Sequence, residues 1–375
     1  MQAPQATPGI FSLVRDRFAA GDEIFLLTVV ETFGSSPRPP GACLALCRSI
    51  DGRMQSAGSV SGGCIEAELL QYLARHSQSD ERPLPAYAVE TIYYGDSATL
   101  DPVSANQHFD LQDFAPPDGA VLPCGGRLRL LIEYFGHEQV QIAEGHSKHF
   151  AAITHALLAR SSLVRTIDSG SQAYSLTLDA GHPDLSVSER HFSFHLQPSW
   201  RLLLIGANDV SRRLVLIAQD LGFEATVCEP RDWFYQLATG SVEWQQLPEG
   251  TLVQSLPDDL VESRFSDRWS SVMALGHDPR IDDMALLSAL ASEAFYVGAM
   301  GSVRTSAKRC ERLASLGLSP AQIERLDAPI GMDIGSKTPA EIAIAAAATL
   351  IAARNRARQG SAAERTVAEP ARLAQ

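Results

Sequence analysis

Two thiols in this chain stand beside glycine pairs. Cys64 ends the run GSVSGGC, in which Gly58 to Gly63 hold three glycines and two serines. Cys124 precedes Gly125 and Gly126 in LPCGG. Glycine is costly in an ordered segment, so this clustering marks backbone that something must approach closely. Apolar residues at Ile65, Leu69, Leu70 and Leu73 predict an amphipathic helix after the first run. Cys64 would stand at or next to its N-terminus, where the dipole favours thiolate over thiol. A thiolate can hold a soft metal or accept sulfur. The alternative for both thiols is a small buried residue, the usual place of a free cysteine. Ser61, Gly62, Gly63, Gly125 and Gly126 would supply bare amides near them, and Arg38, on the proline-framed loop SSPRPPG, suits phosphate recognition.

A second group lies further along. IGANDVSRRL follows an apolar strand, where a dinucleotide fingerprint would lie, with Gly206 as its first glycine. The acid expected after the next strand is present as Glu229, 23 residues on. Asn208 and Ser211 replace the second and third glycines, and the second normally admits a pyrophosphate. His277 and Asp278 end a strand in ALGHDPRIDD. They could carry a proton or bind a metal, or Asp278 could cap the following helix. GAMGSVRTS and GMDIGSKTP place glycine and serine before helices, where free amides attract anions. Gly301, Ser302 and Arg304, with Lys337 as a further cation, make that a candidate phosphate site; ordinary capping is the alternative.

These residues need elements to hold them. The chain has 375 residues, 45% apolar and 20% charged, as a soluble globular protein of two domains or one large one would. A net charge of −13 argues against nucleic acid as a partner. No apolar run reaches ~18 residues, so no membrane span is expected, and MQAPQATPGIFSLVRDRF does not read as a secretory signal. Six cysteines without a C-x-x-C pair indicate free thiols in a reducing cytoplasm. Cys43 and Cys47 share one strand face ~13 Å apart, too far for a disulfide, and read as core residues.

The first half predicts a helix over 9–20, strands in EIFLLTVVET, CLALC and RMQSAG, a hairpin at Asp51–Gly52, a long surface loop over 96–119, and a strand in RLRLLIEYF. A helix over 149–160 and three alternating strands then close a domain near Pro198. The second half alternates short apolar strands with helices, which implies a parallel, doubly wound sheet. Its last helix is signalled by Thr338 as N-cap, Pro339 and Glu341. The fold class expected is α/β, an N-terminal α+β domain (1–198) followed by a Rossmann-like domain (199–359), with a disordered polar tail over 360–375.

Several of these segments together resemble the XdhC/CoxI family. GSSPRPPGA, DGRMQSAGSVSGGCIE and LPCGG are similar to its amino-terminal domain; GHDPRIDD, YVGAMGSVRTSAKR and APIGMDIGSKTPAEIAIAAAATLIAAR are similar to its Rossmann-like domain, in the family's order. The long loop over 96–119 and Asn208 depart from it. The resemblance implies a molybdenum cofactor chaperone, an accessory factor rather than a turnover enzyme. Such a protein binds the molybdopterin-type cofactor, with or without a nucleotide extension. It assists sulfuration with a cysteine desulfurase as donor, and hands the cofactor to a client enzyme of the xanthine dehydrogenase or aldehyde oxidase class. Homodimers are usual for the family. On this reading Cys64 and Cys124 act on the metal or its labile sulfur, and no metal is resident in the protein. The rivals are an NAD(P)-dependent oxidoreductase built on the second domain, against which Asn208 counts, and a scaffold that only docks a partner enzyme.

Overall fold

A computed structural model describes residues 8–34, 38–63, 66, 85–94, 127–178 and 185–367, with side chains to residue 358. The chain divides into two units, Met1–Pro198 and Ser199–Gln375. Cys64, Cys124, Gly125 and Gly126 lie outside the described residues, as do the helix expected after Cys64 and the loop over 96–119.

In the first unit the helix α1 (Pro8–Ala19) precedes strand β1 (Glu23–Phe33). Strands β2 (Cys43–Arg48) and β3 (Met54–Gly58) form the hairpin expected at Asp51–Gly52. With β4 (Tyr87–Tyr94) and β5 (Arg127–Phe135) they make an antiparallel sheet of order β3-β2-β1-β5-β4. The apolar run of β1 has a simple cause: both sheet faces are buried. Ile24, Leu26 and Val30 enter one cluster, while Phe25, Leu27 and Val29 enter the other. Ile10, Phe11, Val14 and Phe18 of α1 fill the first cluster, beside Phe150, Ile153 and Leu157 of α2 (Val140–Leu158). A second antiparallel sheet shares that cluster through Leu163, Ile167, Phe192 and Phe194. It consists of β6 (Leu163–Asp168), β7 (Ala173–Leu178), β8 (Leu185–Val187) and β9 (His191–Leu196), in the order β7-β6-β9-β8. Cys43 and Cys47 are core residues, as expected; burial pushes both thiols up to about 12. Helix α2 begins nine residues earlier than its apolar pattern suggested, because its first turns lie largely in water.

One polar network lies inside this unit. Glu133 of β5 and Arg165 of β6 form a forked ion pair between the two sheets, both contacts 2.7 Å, each side chain almost wholly buried. Tyr87 donates to Glu133 at 2.9 Å, and Arg165 Nε donates to Nε2 of His149 on α2 at 2.9 Å. Every member is satisfied, which a buried charge requires.

The second unit is a six-stranded, all-parallel sheet. Its strands are β10 (Trp200–Ile205), β11 (Phe223–Cys228), β12 (Leu252–Val253), β13 (Ser270–Ala274), β14 (Tyr296–Ala299) and β15 (Leu326–Asp327). Counted within the unit, their order is 3-2-1-4-5-6, the order of a Rossmann fold. On one face α3 (Asp209–Asp220) packs against α10 (Pro339–Val367). Ala343, Ala346, Ala347 and Ala353 of α10 are buried there, which is why the helix is alanine-rich. On the other face lie α6 (Pro257–Arg264), α7 (Pro279–Ala291) and α8 (Val303–Ser315). Short helices α4 (Asp232–Thr239), α5 (Val242–Gln245) and α9 (Pro320–Glu324) complete the unit.

The tail expected to be disordered from 360 is, over its first part, helix: α10 continues to Val367. Ala362, Ala363, Glu364 and Arg365 are good helix formers, and Gly360 alone does not stop a helix that already runs about six turns.

Candidate functional site: the glycine turns

The turn after β3 is built around a carboxylate. Glu66 accepts from the amides of Val60 (3.1 Å), Ser61 (3.0 Å) and Gly63 (2.9 Å). It also accepts from the hydroxyls of Ser59 (2.6 Å) and Ser61. The amide of Gly62 goes to Ser59 Oγ at 2.8 Å. The amide cradle expected from the sequence is therefore real, and its occupant is the chain's own Glu66. Burial alone would raise this carboxyl; the Ser59 and Ser61 hydroxyls and the Ser61 amide outweigh it and hold it down at about 2. Ser61 is buried, with Gly62 and Gly63 exposed above it. A side chain at Gly58 (φ +87°) would put its Cβ 2.1 Å from the carbonyl oxygen of Cys43, so the turn must start on glycine. Arg38 is half-buried before β2. Glu66 was missed in the sequence; the signal was its place three residues after Gly63, a capping-box spacing.

The second unit gathers its candidates where the strands' carboxyl ends diverge around β10 and β13, the topological switch point of such sheets. Gly206 (φ +100°) would carry a Cβ 3.1 Å from the Cα of Gly276, so the loops after β10 and β13 meet there. The fingerprint loop is closed on itself. Asn208 Oδ1 accepts from Val210 (2.9 Å) and Ser211 (3.0 Å), and its Nδ2 donates to the carbonyl of Leu275 at 2.8 Å. The amide of Asn208 goes to Ser211 Oγ and that of Ala207 to Glu229 Oε2. Asn208 and Ser211 replace glycines because they form the helix cap themselves. Glu229 is not left open for a ribose: it is buried, bound by Ala207, and clamped by Arg231 at 2.7 and 2.8 Å. Burial opposes its ionisation, but the Arg231 hydrogen bonds prevail and keep its carboxyl below the ordinary range.

Asp278 is a helix cap, accepting from the amide of Arg280 at 3.0 Å and pairing with its guanidinium at 2.9 Å, which holds its carboxyl down at about 2. His277 beside it is exposed. Ser302 caps α8 through the amide of Thr305 at 3.1 Å, Gly301 lies next to it, and Arg304 is exposed in the first turn. Beneath these loops lies a charge cluster that the sequence pattern does not reveal. Arg309 donates to the carbonyl of Met300 (3.0 Å) and to Asp282 (3.2 Å), while Arg312 grips Asp283 at 2.7 Å. Oδ1 of Asp282 lies under Gly276, where a Cβ would come within 2.5 Å of it. Burial pushes Asp282 up to about 6 against the pull of Arg309. The loops after β13 and β14 are thus braced to one buried pair. Lys337 is exposed, and its amide goes to Glu341, which with Thr338 makes the expected cap of α10.

A cavity of about 540 Å³ lies elsewhere, at the amino ends of β14 and β15, lined by Phe295, Tyr296, Asp327 and Arg356. None of the expected site residues borders it. Among the described residues, no three His, Cys, Asp or Glu side chains are grouped to hold a metal, and no helix is long and apolar enough to cross a membrane.

Comparison with known proteins is consistent across both units. Residues 202–350 match the profile described as the XdhC Rossmann domain, and residues 18–84 that described as the XdhC and CoxI family. A Bacillus subtilis protein, named as one of the subunits of a probable xanthine dehydrogenase, is 26% identical over 359 residues, 89% of this chain and 94% of that protein. An Escherichia coli protein named molybdenum cofactor insertion chaperone PaoD is 24% identical, covering 84% of this chain and 78% of its own. The fold is shared with a Bacillus halodurans crystal structure described as a xanthine dehydrogenase, with a TM-score of 0.63 at 20% identity over 93% of this chain and 96% of that one. With two profiles in the family's order and a parallel sheet of Rossmann order, the chain belongs to the XdhC and CoxI family.

Proposed function

We propose that this protein is a maturation factor for the molybdenum cofactor, serving a hydroxylase of the xanthine dehydrogenase or aldehyde oxidase class. The observation that carries the reading is similarity, over most of both chains, to a protein named as a molybdenum cofactor insertion chaperone. The cofactor is cargo, an anionic pterin phosphate. On this reading Cys64 and Cys124 supply soft sulfur to its metal centre, and Arg38, Gly62, Gly63, Gly125 and Gly126 surround it. Taken by itself, the second unit offers exposed His277, Ser302 and Arg304 and half-buried Gly301 as a candidate site for an anionic group. Since Glu66 holds the amides of Val60, Ser61 and Gly63, the ligand meets the outer surface of that turn rather than its cradle. The finer steps belong to the same proposal: a cysteine desulfurase supplies sulfur, the protein works as a homodimer in the cytoplasm, and the finished cofactor passes to the client.

The oxidoreductase alternative is disfavoured by a specific observation. The amides and acid that would hold a dinucleotide are engaged by Asn208, Ser211 and Arg231. The deciding experiment is expression with molybdate, then mass spectrometry of the released ligand from wild type, Cys64→Ala and Cys124→Ala. Molybdopterin in wild type and its loss in either variant is expected. Full retention and client activation in both would remove the thiols from the mechanism, and a bound nicotinamide would favour the rival.

A further inference from the structure

The large apolar side chains left in water on the second unit include three on one short helix. Trp233 is 74% exposed, Leu237 61% and Phe234 42%, all on α4; Val242 and Leu256 are also exposed. Trp233 and Leu237, four apart, lie one above the other on the helix. Gln254 donates to Asp232 at 3.4 Å, which ties the segment carrying Leu256 to the start of α4. Single exposed apolar residues are ordinary, but a contiguous group with a tryptophan in it marks a binding surface.

The chain segment that carries this surface is acidic, and of the cations beside it Arg231 is paired with Glu229 while Arg212 acts on Glu243. From Asp232 to Ser263 the chain contains no lysine or arginine, and it contains Asp232, Glu243, Glu249, Asp258, Asp259 and Glu262. All of these are exposed except Asp258, which is half-buried. The patch also begins at the crevice, because Arg231, which clamps Glu229, lies 4.0 Å over the ring of Phe234. A second copy of this chain would bring acids against acids in a two-fold contact. An anionic membrane surface is disfavoured for the same reason.

We propose that the α4 face docks a protein surface with an apolar recess ringed by lysine and arginine. Taken with the maturation role proposed above, on which this clause rests, that protein is the client hydroxylase.

The test uses the full chain and the cofactor-free hydroxylase of the same organism as probe. Binding is followed by biolayer interferometry at low and high salt. Trp233→Ser with Leu237→Ser is expected to weaken binding at least tenfold. Glu243→Lys with Asp259→Lys is expected to weaken it at low salt and flatten its salt dependence. These side chains are in water, and unchanged melting curves confirm that the variants fold. Undiminished binding by the serine variant, or no binding by wild type, overturns the proposal. So does a change in oligomeric state on substitution, which would give the face to a second copy. Cofactor content is measured on the same preparations, so a wild type that binds the hydroxylase but carries no molybdopterin refutes the maturation role and leaves the docking face standing.

Discussion

Glu66 accepts the amide of Gly63 at 2.9 Å, so a carboxylate three residues downstream closes the glycine turn from within. Replacing it by glutamine leaves donors facing an amide that accepts at one atom only. Local opening of the turn should become easier by about 2 kcal/mol. Hydrogen exchange at Val60, Ser61 and Gly63 should accelerate roughly 30-fold in Glu66→Gln. Unchanged exchange would show that the carboxylate does not hold the turn.

The Glu133–Arg165 pair makes a sharper prediction. Arg165→Met removes one partner and leaves the other charge buried, at a cost of about 3–5 kcal/mol to the first unit. Glu133→Leu combined with Arg165→Met leaves no charge behind and should cost markedly less than the two single changes added. Urea unfolding of the two single variants and the double would measure this; strict additivity would contradict it.

Acid should weaken the first unit through His149. Burial, the Arg165 guanidinium and His146 hold this ring down at about 2, from an ordinary 6.5. Its Nε2 accepts from Arg165, so the ring is neutral in the fold. Between these limits the unfolded chain binds a proton here and the folded chain does not. Stability present above pH 6.5 is therefore lost as pH falls, by up to ~1.4 kcal/mol per unit, or about 2 kcal/mol by pH 5. His149→Gln retains an acceptor for Arg165 and should reduce the slope of stability against pH over that window. An unaltered slope would place the acid sensitivity elsewhere.

Asn208→Gly restores the second glycine of the fingerprint. It should still not create a dinucleotide site, since Glu229 stays clamped by Arg231. It should lower stability by about 1 kcal/mol through loss of the α3 cap and the bond to Leu275. Fluorescence titration with NADH tests the first claim and thermal melting the second; micromolar NADH binding by either protein would revive the oxidoreductase reading.

Features that depend on residues a few positions apart were legible from the amino-acid order alone. They include the apolar run of β1, the alternation of short strands with helices in the second half, and the Thr338–Pro339–Glu341 cap. Strands β4, β8 and β15 were not read, being short or carrying Glu90, Ser186 and Asp327, which mask the pattern of their neighbours. The glycine turn at Gly58–Gly63 and the broken fingerprint at Asn208 were both recognised as special. Their roles were not, because a donor looks free until its acceptor is brought to it. It took the folded chain to show that Arg231 closes Glu229, that Asp282 and Arg309 brace two loops, and that Glu133 meets Arg165. A buried polar group must find its partner wherever the chain returns, and long-range pairing of that kind leaves no periodic trace in the sequence.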